Sequence, residues 1–131
     1  MIVVDASAGI ELLTFSEPGQ RVAGFLVDEM QTLHVPNLFS VEITQVLRKM
    51  VRHGSLSTGR ASEAIQDLRD LDLVHHEHEP LLERVWVLRD RLTAYDGVYV
   101  ALAEFLSCPL ITSDRKLASA AGNLIPTEII S

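Results

Sequence analysis

Three β-branched apolar residues, Ile2 to Val4, follow Met1 and are followed directly by Asp5. Such a short apolar run predicts a strand buried on both faces, as in a parallel sheet. Ligands of open α/β sheets bind beyond the carboxyl ends of the strands, so a carboxylate at this point is a candidate for chemistry. The simpler interpretation is that Asp5 caps a helix starting near Ala6 to Ala8, and the stretch alone favours the cap.

Short apolar runs recur along the chain and alternate with segments of helical periodicity. This alternation predicts an α/β fold, an α/β/α sandwich with a mostly parallel central sheet flanked by helices. No internal repeat or linker interrupts it, so residues 1–131 are expected to form a single domain. Strands are predicted at residues 2–4, 33–35, 73–74, 110–112 and, at an edge, within 124–130. Helices are predicted at residues 10–15, 20–30, 37–53, 57–71, 80–92, 93–104 and 115–122.

Composition narrows the class of protein. With 47% hydrophobic and 22% charged residues, the chain is typical of a soluble globular domain. It lacks the roughly 18 uninterrupted apolar residues of a membrane span and a signal-type N-terminus, so a cytoplasmic protein is expected. The single cysteine, Cys108, excludes an internal disulfide and is interpreted as a packed thiol. A net charge of -7 argues that any nucleic acid is held locally, by a metal or a small basic patch.

Glu42 is the acidic residue of a helix predicted to be capped by Asn37 and to end near His53. It borders the apolar stripe of that helix rather than facing away from it. A carboxylate beside an apolar face is unfavourable unless it is paired or binds a metal. Two interpretations stay open: a surface Glu42 paired with Arg48 or Lys49, and a metal ligand.

Asp96 and Asp114 each have a structural explanation as well. Thr93 and Asp96 match a capping box, at the start of a helix whose residues 97–103 carry no charge and should be buried. Asp114 follows a predicted strand and precedes a helix, which repeats the pattern around Asp5 and suits an N-cap. A parallel sheet can nevertheless bring both aspartates to the same end of the sheet.

Three histidines, His75, His76 and His78, lie at the end of the third predicted strand. On a strand His76 and His78 share a face while His75 points away, and no cysteine or HExxH pattern accompanies them. They are interpreted as a polar strand end and not as a metal site.

The four acids considered together favour a metal. Two carboxylates about 4 Å apart repel by roughly 4 kcal/mol at a surface-like dielectric. A cluster of carboxylates therefore persists only by protonating or by binding cations, and an all-oxygen site suits Mg²⁺ or Mn²⁺.

The chain resembles the PIN-domain ribonucleases, and in size and motif order the VapC toxins of bacterial type II toxin–antitoxin pairs. The resemblance covers essentially the whole chain. It rests on Ile2-Val-Val-Asp5-Ala-Ser7, Glu42, Tyr95-Asp96-Gly-Val-Tyr-Val-Ala-Leu-Ala103 and Thr112-Ser-Asp114-Arg-Lys-Leu-Ala118. It implies Mg²⁺- or Mn²⁺-dependent cleavage of single-stranded RNA, a homodimer, and inhibition by a small cognate antitoxin.

The resemblance also implies roles for individual residues. The acidic quartet of the family corresponds to Asp5, Glu42, Asp96 and Asp114, with the three aspartates as metal ligands and Glu42 binding a second ion or orienting the attacking water. Some members have a fifth acid where this chain has Lys116. Ser7 and Thr112 match hydroxyl positions that orient water or a ligand, or else only stabilise turns. Candidate RNA contacts are Arg48, Lys49, Arg52, Arg115 and Lys116.

Two other classes of function compete with the nuclease. A phospho-receiver domain is also a small Mg²⁺-binding α/β module, but it normally has an acidic pair after the first strand, where this chain has Asp5 and Ala6. A non-catalytic partner-binding domain would keep its biological effect after all four acids were changed. P-loop and zinc-protease motifs do not occur.

Overall fold

All 131 residues are described by the computed structural model, and their five strands form one sheet. The order across the sheet is β3-β2-β1-β4-β5, and every neighbouring pair is parallel. The parallel α/β fold predicted from the sequence is confirmed, including the edge position of the last strand. The strands are β1 (Ile2–Val4), β2 (Leu33–Pro36), β3 (Leu73–His76), β4 (Leu110–Thr112) and β5 (Thr127–Ile129).

Seven helices flank the sheet. They are α1 (Ala6–Leu13), α2 (Glu17–Leu26), α3 (Leu38–Arg52), α4 (Thr58–Asp70), α5 (Leu82–Val87), α6 (Ala94–Leu106) and α7 (Arg115–Ala121), with a 3₁₀ turn at Glu79–Leu81 before α5. The central helix is α6, since its residues from Gly97 to Ala103 are all buried, as its uncharged sequence predicts. None of the helices combines the length and the apolarity that crossing a bilayer requires.

The strand order creates one crevice where the chain reverses its direction across the sheet. The chain passes from β1 to β2 and β3 on one side, and then returns to place β4 on the other side of β1. Parallel sheets bind ligands at such a switch point, beyond the carboxyl ends of the strands. Asp5 follows β1, and Asp114 lies two residues after β4, so the fold brings both acids to this crevice.

The start of α2 differs from the sequence-based expectation. Pro18 and Gly19 lie within the first turn of α2 and do not separate two helices, because Ser16 caps that helix and accepts a hydrogen bond from the Gly19 amide. Proline is favoured at such a position, where its missing N–H has no helical partner.

The predicted cap of α3 by Asn37 is wrong, because the Asn37 side chain makes no capping hydrogen bond. His78, which follows β3, supplies the cap instead, and its Nε2 accepts a hydrogen bond of 2.9 Å from the Leu38 amide. This contact spans 40 residues of sequence and ties the segment after β3 to the start of α3.

A second histidine contact joins the neighbouring strands β2 and β3. Nδ1 of His34 lies 2.9 Å from Nε2 of His76, and the other ring nitrogen of His34 lies 2.8 Å from Thr32 Oγ1. Burial lowers the pKa of both imidazoles, and their mutual proximity lowers that of His34 further. The ring-to-ring hydrogen bond needs one acceptor nitrogen, so it is lost when both rings are protonated.

We therefore expect the contribution of the His34–His76 contact to the stability of the fold to decrease on acidification. Each folded pKa lies below its unfolded value, so the stabilisation is complete above about pH 6.5 and is lost as the pH falls through the folded pKa. Thermal unfolding should show that the advantage in melting temperature of wild type over His76→Gln is larger at pH 7.5 than at pH 5. The matched control is His53→Gln at the exposed end of α3, which should behave as wild type. The same pH dependence of the melting temperature in His76→Gln and His53→Gln would contradict a role of the His34–His76 contact.

Candidate metal and active site

A pocket of about 350 Å³ opens at the crevice between β1 and β4, and it contains all four predicted acids. Its lining residues are Asp5, Ala6, Ser7, Ile10, Glu11, Glu42, Val46, Asp96, Tyr99, Ser113 and Asp114. A larger groove of about 620 Å³ lies elsewhere, beside α1, α2 and α4, with a mostly apolar lining. The smaller pocket is the candidate for chemistry because it gathers carboxylates from four separate segments of the chain.

Asp5 is almost fully buried, with 4% of its surface exposed, and both of its carboxylate oxygens accept hydrogen bonds. Oδ1 accepts from the Ala8 amide at 3.0 Å, so Asp5 does cap α1, and from Ser7 Oγ at 2.7 Å. Oδ2 accepts from Thr112 Oγ1 at 2.7 Å. The cap and the pocket position are therefore compatible, since Oδ2 keeps acceptor capacity beyond its one protein donor.

The two hydroxyls that donate to Asp5 also join β1 to β4. Ser7 Oγ accepts from the Ser113 amide and Thr112 Oγ1 accepts from the Asp114 amide, each at 2.9 Å. Each hydroxyl has a single proton, and with Asp5 ionised both protons point at its carboxylate. The two hydroxyl oxygens lie 3.1 Å apart. Ser7 and Thr112 thus hold the Asp5 carboxylate and the backbone leading to Asp114 in one hydrogen-bonded cluster.

The other two aspartates sit at helix N-termini and keep free oxygens. Thr93 caps α6 and accepts from the Asp96 amide at 3.2 Å, but the reciprocal bond of a capping box, from the Thr93 amide to the Asp96 carboxylate, is absent. The Asp96 carboxylate instead lines the pocket. Asp114 caps α7 through Oδ1 alone, which accepts from the Lys116 and Leu117 amides.

Glu42 is held by a residue that the sequence analysis did not select. Tyr99 Oη donates a hydrogen bond of 2.6 Å to Glu42 Oε1. Glu42 forms no ion pair with Arg48 or Lys49, so the predicted surface pairing is wrong. The signal in the sequence was a tyrosine in an otherwise apolar buried helix, because a buried phenol needs a hydrogen-bond partner.

Desolvation has the largest effect on the carboxyl pKa values in the pocket; hydrogen bonds to Asp5 and Glu42 oppose it, and repulsion between the acids adds to it. Burial raises the pKa of Asp5, Glu42 and Asp96. The charge of Asp114 further raises the pKa of Asp5 and Asp96, while the charges of Asp96 and Asp5 raise that of Glu42. None of the four carboxylates has a lysine, arginine or histidine within ion-pair distance. The protein therefore concentrates negative charge here without offsetting it.

The donor set fits a hard divalent cation in its chemistry, since it is composed of carboxylate oxygens alone. In the present conformation no three of these side chains lie close enough to hold one ion together. Oδ2 of Asp114 accepts no hydrogen bond from the protein, so it is available to an ion.

The five predicted RNA contacts do not lie together. Arg115 and Lys116 are exposed in the first turn of α7, next to Asp114. On α3, Lys49 follows Glu42 by seven residues, which places it about 20° from Glu42 around the helix and about 10 Å further along. Arg48 and Arg52 lie about 120° and 80° from Glu42 by the same geometry. Lys49 is thus the basic residue of α3 on the pocket side.

We expect Asp96→Asn to stabilise the metal-free protein at neutral pH. The folded pKa of Asp96 is raised, so its contribution to stability is present below the unfolded value, about 3.9, and is lost as the pH rises through the folded value. In EDTA at pH 7.5 the variant should melt about 2 °C above wild type, and the gap should close towards pH 3.5. The control is Asp90→Asn at an exposed position, which should show no pH-dependent gap. A difference in melting temperature between Asp96→Asn and wild type that is unchanged at pH 3.5 would contradict the destabilising effect of the Asp96 charge.

Comparison with known proteins places these features in one family. The sequence profile of the PIN domain matches residues 2–123. Ribonuclease VapC9 of Mycobacterium tuberculosis is 37% identical over 131 residues, covering 99% of this chain and 98% of the relative. Ribonuclease VapC12 of the same organism is 36% identical over the full length of both chains. The crystal structure of PAE2754 from Pyrobaculum aerophilum has a TM-score of 0.74 at 26% identity, covering 96% of this chain and 82% of that one.

Proposed function

The chain belongs to the PIN-domain family, and from that premise we propose that it is a metal-dependent endoribonuclease toxin that cleaves single-stranded or loop RNA. The observation that carries the proposal is the pocket at the β1–β4 crevice, where four carboxylates converge without a protein cation. Relatives of the same length, at 36–37% identity, are named as VapC ribonucleases. The cation is a divalent ion, Mg²⁺ or Mn²⁺, because both favour oxygen ligands.

Each acid has a distinct part in the proposed reaction. Asp5, Asp96 and Asp114 hold the cation, and Glu42 binds a second ion or orients the attacking water. A bound divalent cation lowers the pKa of that water and offsets charge on the phosphate during in-line displacement. Asp5 is kept in place by the hydroxyls of Ser7 and Thr112. The carboxylates of Asp96 and Asp114 are aimed from the N-termini of two helices, where the backbone dipole favours an anion.

The partner of the proposed toxin is a small cognate antitoxin that blocks the acidic pocket, and the active form is a homodimer. Both proposals rest on membership of the family and on the VapC names of the relatives. A cationic group offered by an inhibitor to the same carboxylates would complement the negative charge of the pocket.

RNA is held, in this proposal, by the cations and by a few local basic residues. With a net charge of -7 the overall field repels RNA, so contacts near the pocket matter most. Lys49 on the pocket side of α3, and Arg115 and Lys116 beside Asp114, are the best-placed candidates. Arg48 and Arg52 are retained as weaker candidates because they lie further from Glu42 around the helix, at about 120° and 80°.

The function is tested by cleavage of a mixed pool of single-stranded and structured RNA with Mg²⁺ or Mn²⁺. Purified, partner-free wild type should cut the pool, and EDTA should abolish the cutting. Asp96→Asn should lower the rate by more than about 100-fold, since even residues behind metal ligands contribute 10–100-fold. Asp90→Asn should cut like wild type. Equal activity of Asp96→Asn and wild type would identify a contaminating nuclease and refute the site, and a folded wild type that never cuts would favour a binding domain.

The basic contacts are tested by the salt dependence of RNA binding. Lys49→Ala should weaken binding similarly for all sequences and should reduce the slope of log affinity against log salt by about 0.7, the value for one phosphate of a single strand. Arg48→Ala, the matched control on the same helix, should leave the slope unchanged. Equal effects of the two substitutions would contradict the assigned RNA path.

A further inference from the structure

We propose that Tyr99 is a positioning residue, whose hydroxyl fixes Glu42 over the carboxylate pocket and leaves Glu42 Oε2 as the oxygen available to a cation or water. The inference rests on the proposed function of the pocket. It concerns a residue outside the acidic quartet, and it assigns to the phenol an effect on cation binding that acts through Glu42.

The geometry of the contact supports this role. Tyr99 is 2% exposed, and its hydroxyl lies 2.6 Å from Glu42 Oε1. Tyr99 follows Asp96 by three residues on α6, so both side chains lie on the same face of the buried helix. One rigid element therefore presents Asp96 directly and holds Glu42 through Tyr99. The two acids come from different helices, and the phenol sets the distance between them.

Glu42 depends on this contact because nothing else in the protein holds its carboxylate. Its only side-chain hydrogen bond is the one from Tyr99, and it forms no ion pair. Arg48 and Lys49 on the same helix are six and seven residues away, outside the three- or four-residue spacing at which helical side chains meet. Glu42 is only half-buried, so without the phenol its carboxylate is free to rotate towards water.

The phenol is suited to be a permanent donor. Burial raises the pKa of Tyr99 far above its usual range, and the neighbouring Glu42 carboxylate raises it further. The phenol therefore acts as the donor, and the Glu42 carboxylate as the acceptor, of the bond between them. Oε1 already accepts the phenol proton, whereas Oε2 accepts no hydrogen bond from the protein and therefore offers its full acceptor capacity to a cation or a water in the pocket.

A double-mutant cycle on Mn²⁺ affinity separates positioning from simple packing. Titration calorimetry would compare wild type, Tyr99→Phe, Glu42→Gln and the double variant, all as full-length protein. Tyr99→Phe should weaken Mn²⁺ binding about 10-fold, the lower end of the range for residues behind metal ligands. In the Glu42→Gln background the same change should alter affinity less than about twofold, since a residue that acts through Glu42 has no further effect.

The control is Tyr95→Phe at the exposed tyrosine one turn earlier, which should bind Mn²⁺ like wild type. Additive effects in the cycle, or unchanged affinity in Tyr99→Phe, would overturn the role of Tyr99 and leave the metal site standing. A folded wild type that binds no Mn²⁺ would overturn the proposed function and the role together. The proton NMR spectrum of wild type gives a second test that needs no variant. A slowly exchanging Tyr99 hydroxyl proton is expected, and its absence would contradict the hydrogen bond from Tyr99 to Glu42.

Discussion

The site depends on one hydrogen-bonded cluster, in which the Asp5 carboxylate accepts from Ser7 and Thr112. β1 and β4 are distant in sequence, and this cluster fixes how their ends meet. It orients Asp5 within a nearly dry environment, and it supports the turn that leads from β4 to Asp114. A carboxylate buried this deeply is tolerated because its oxygens are hydrogen-bonded, which is the general condition for buried charge.

Around that fixed anion the pocket lining adds the three other predicted carboxylates and Glu11, and no cation. Two come from the N-termini of α6 and α7, where helix dipoles favour anions, and Glu42 comes from α3 through its bond to Tyr99. The carboxyl edge of the sheet, the N-termini of α6 and α7, and the middle of α3 therefore all contribute to one negatively charged pocket. Crowding of carboxylates destabilises the free protein, and a bound cation would relieve that repulsion. This is the physical basis of the proposed function.

Sequence alone could predict the parts of this site that are local. Strand, carboxylate and helix follow one another at Asp5 and Asp114, and the parallel sheet that they imply brings both acids to one edge. Glu42 stayed ambiguous because its partner, Tyr99, lies 57 residues away. His78 as the cap of α3 was missed for the same reason, since helix capping is predicted from neighbouring residues and this cap comes from the segment after β3, 40 residues away.

The central claim is that the four carboxylates form one cation site, and the most direct test is a crystal soaked in Mn²⁺ and measured for anomalous scattering. The account predicts a peak in the pocket, where carboxylate oxygens of Asp5, Asp96 and Asp114 would hold the ion. It also predicts that Glu42 keeps its bond to Tyr99. A peak elsewhere on the surface, or none at a concentration that supports RNA cleavage, would contradict the account.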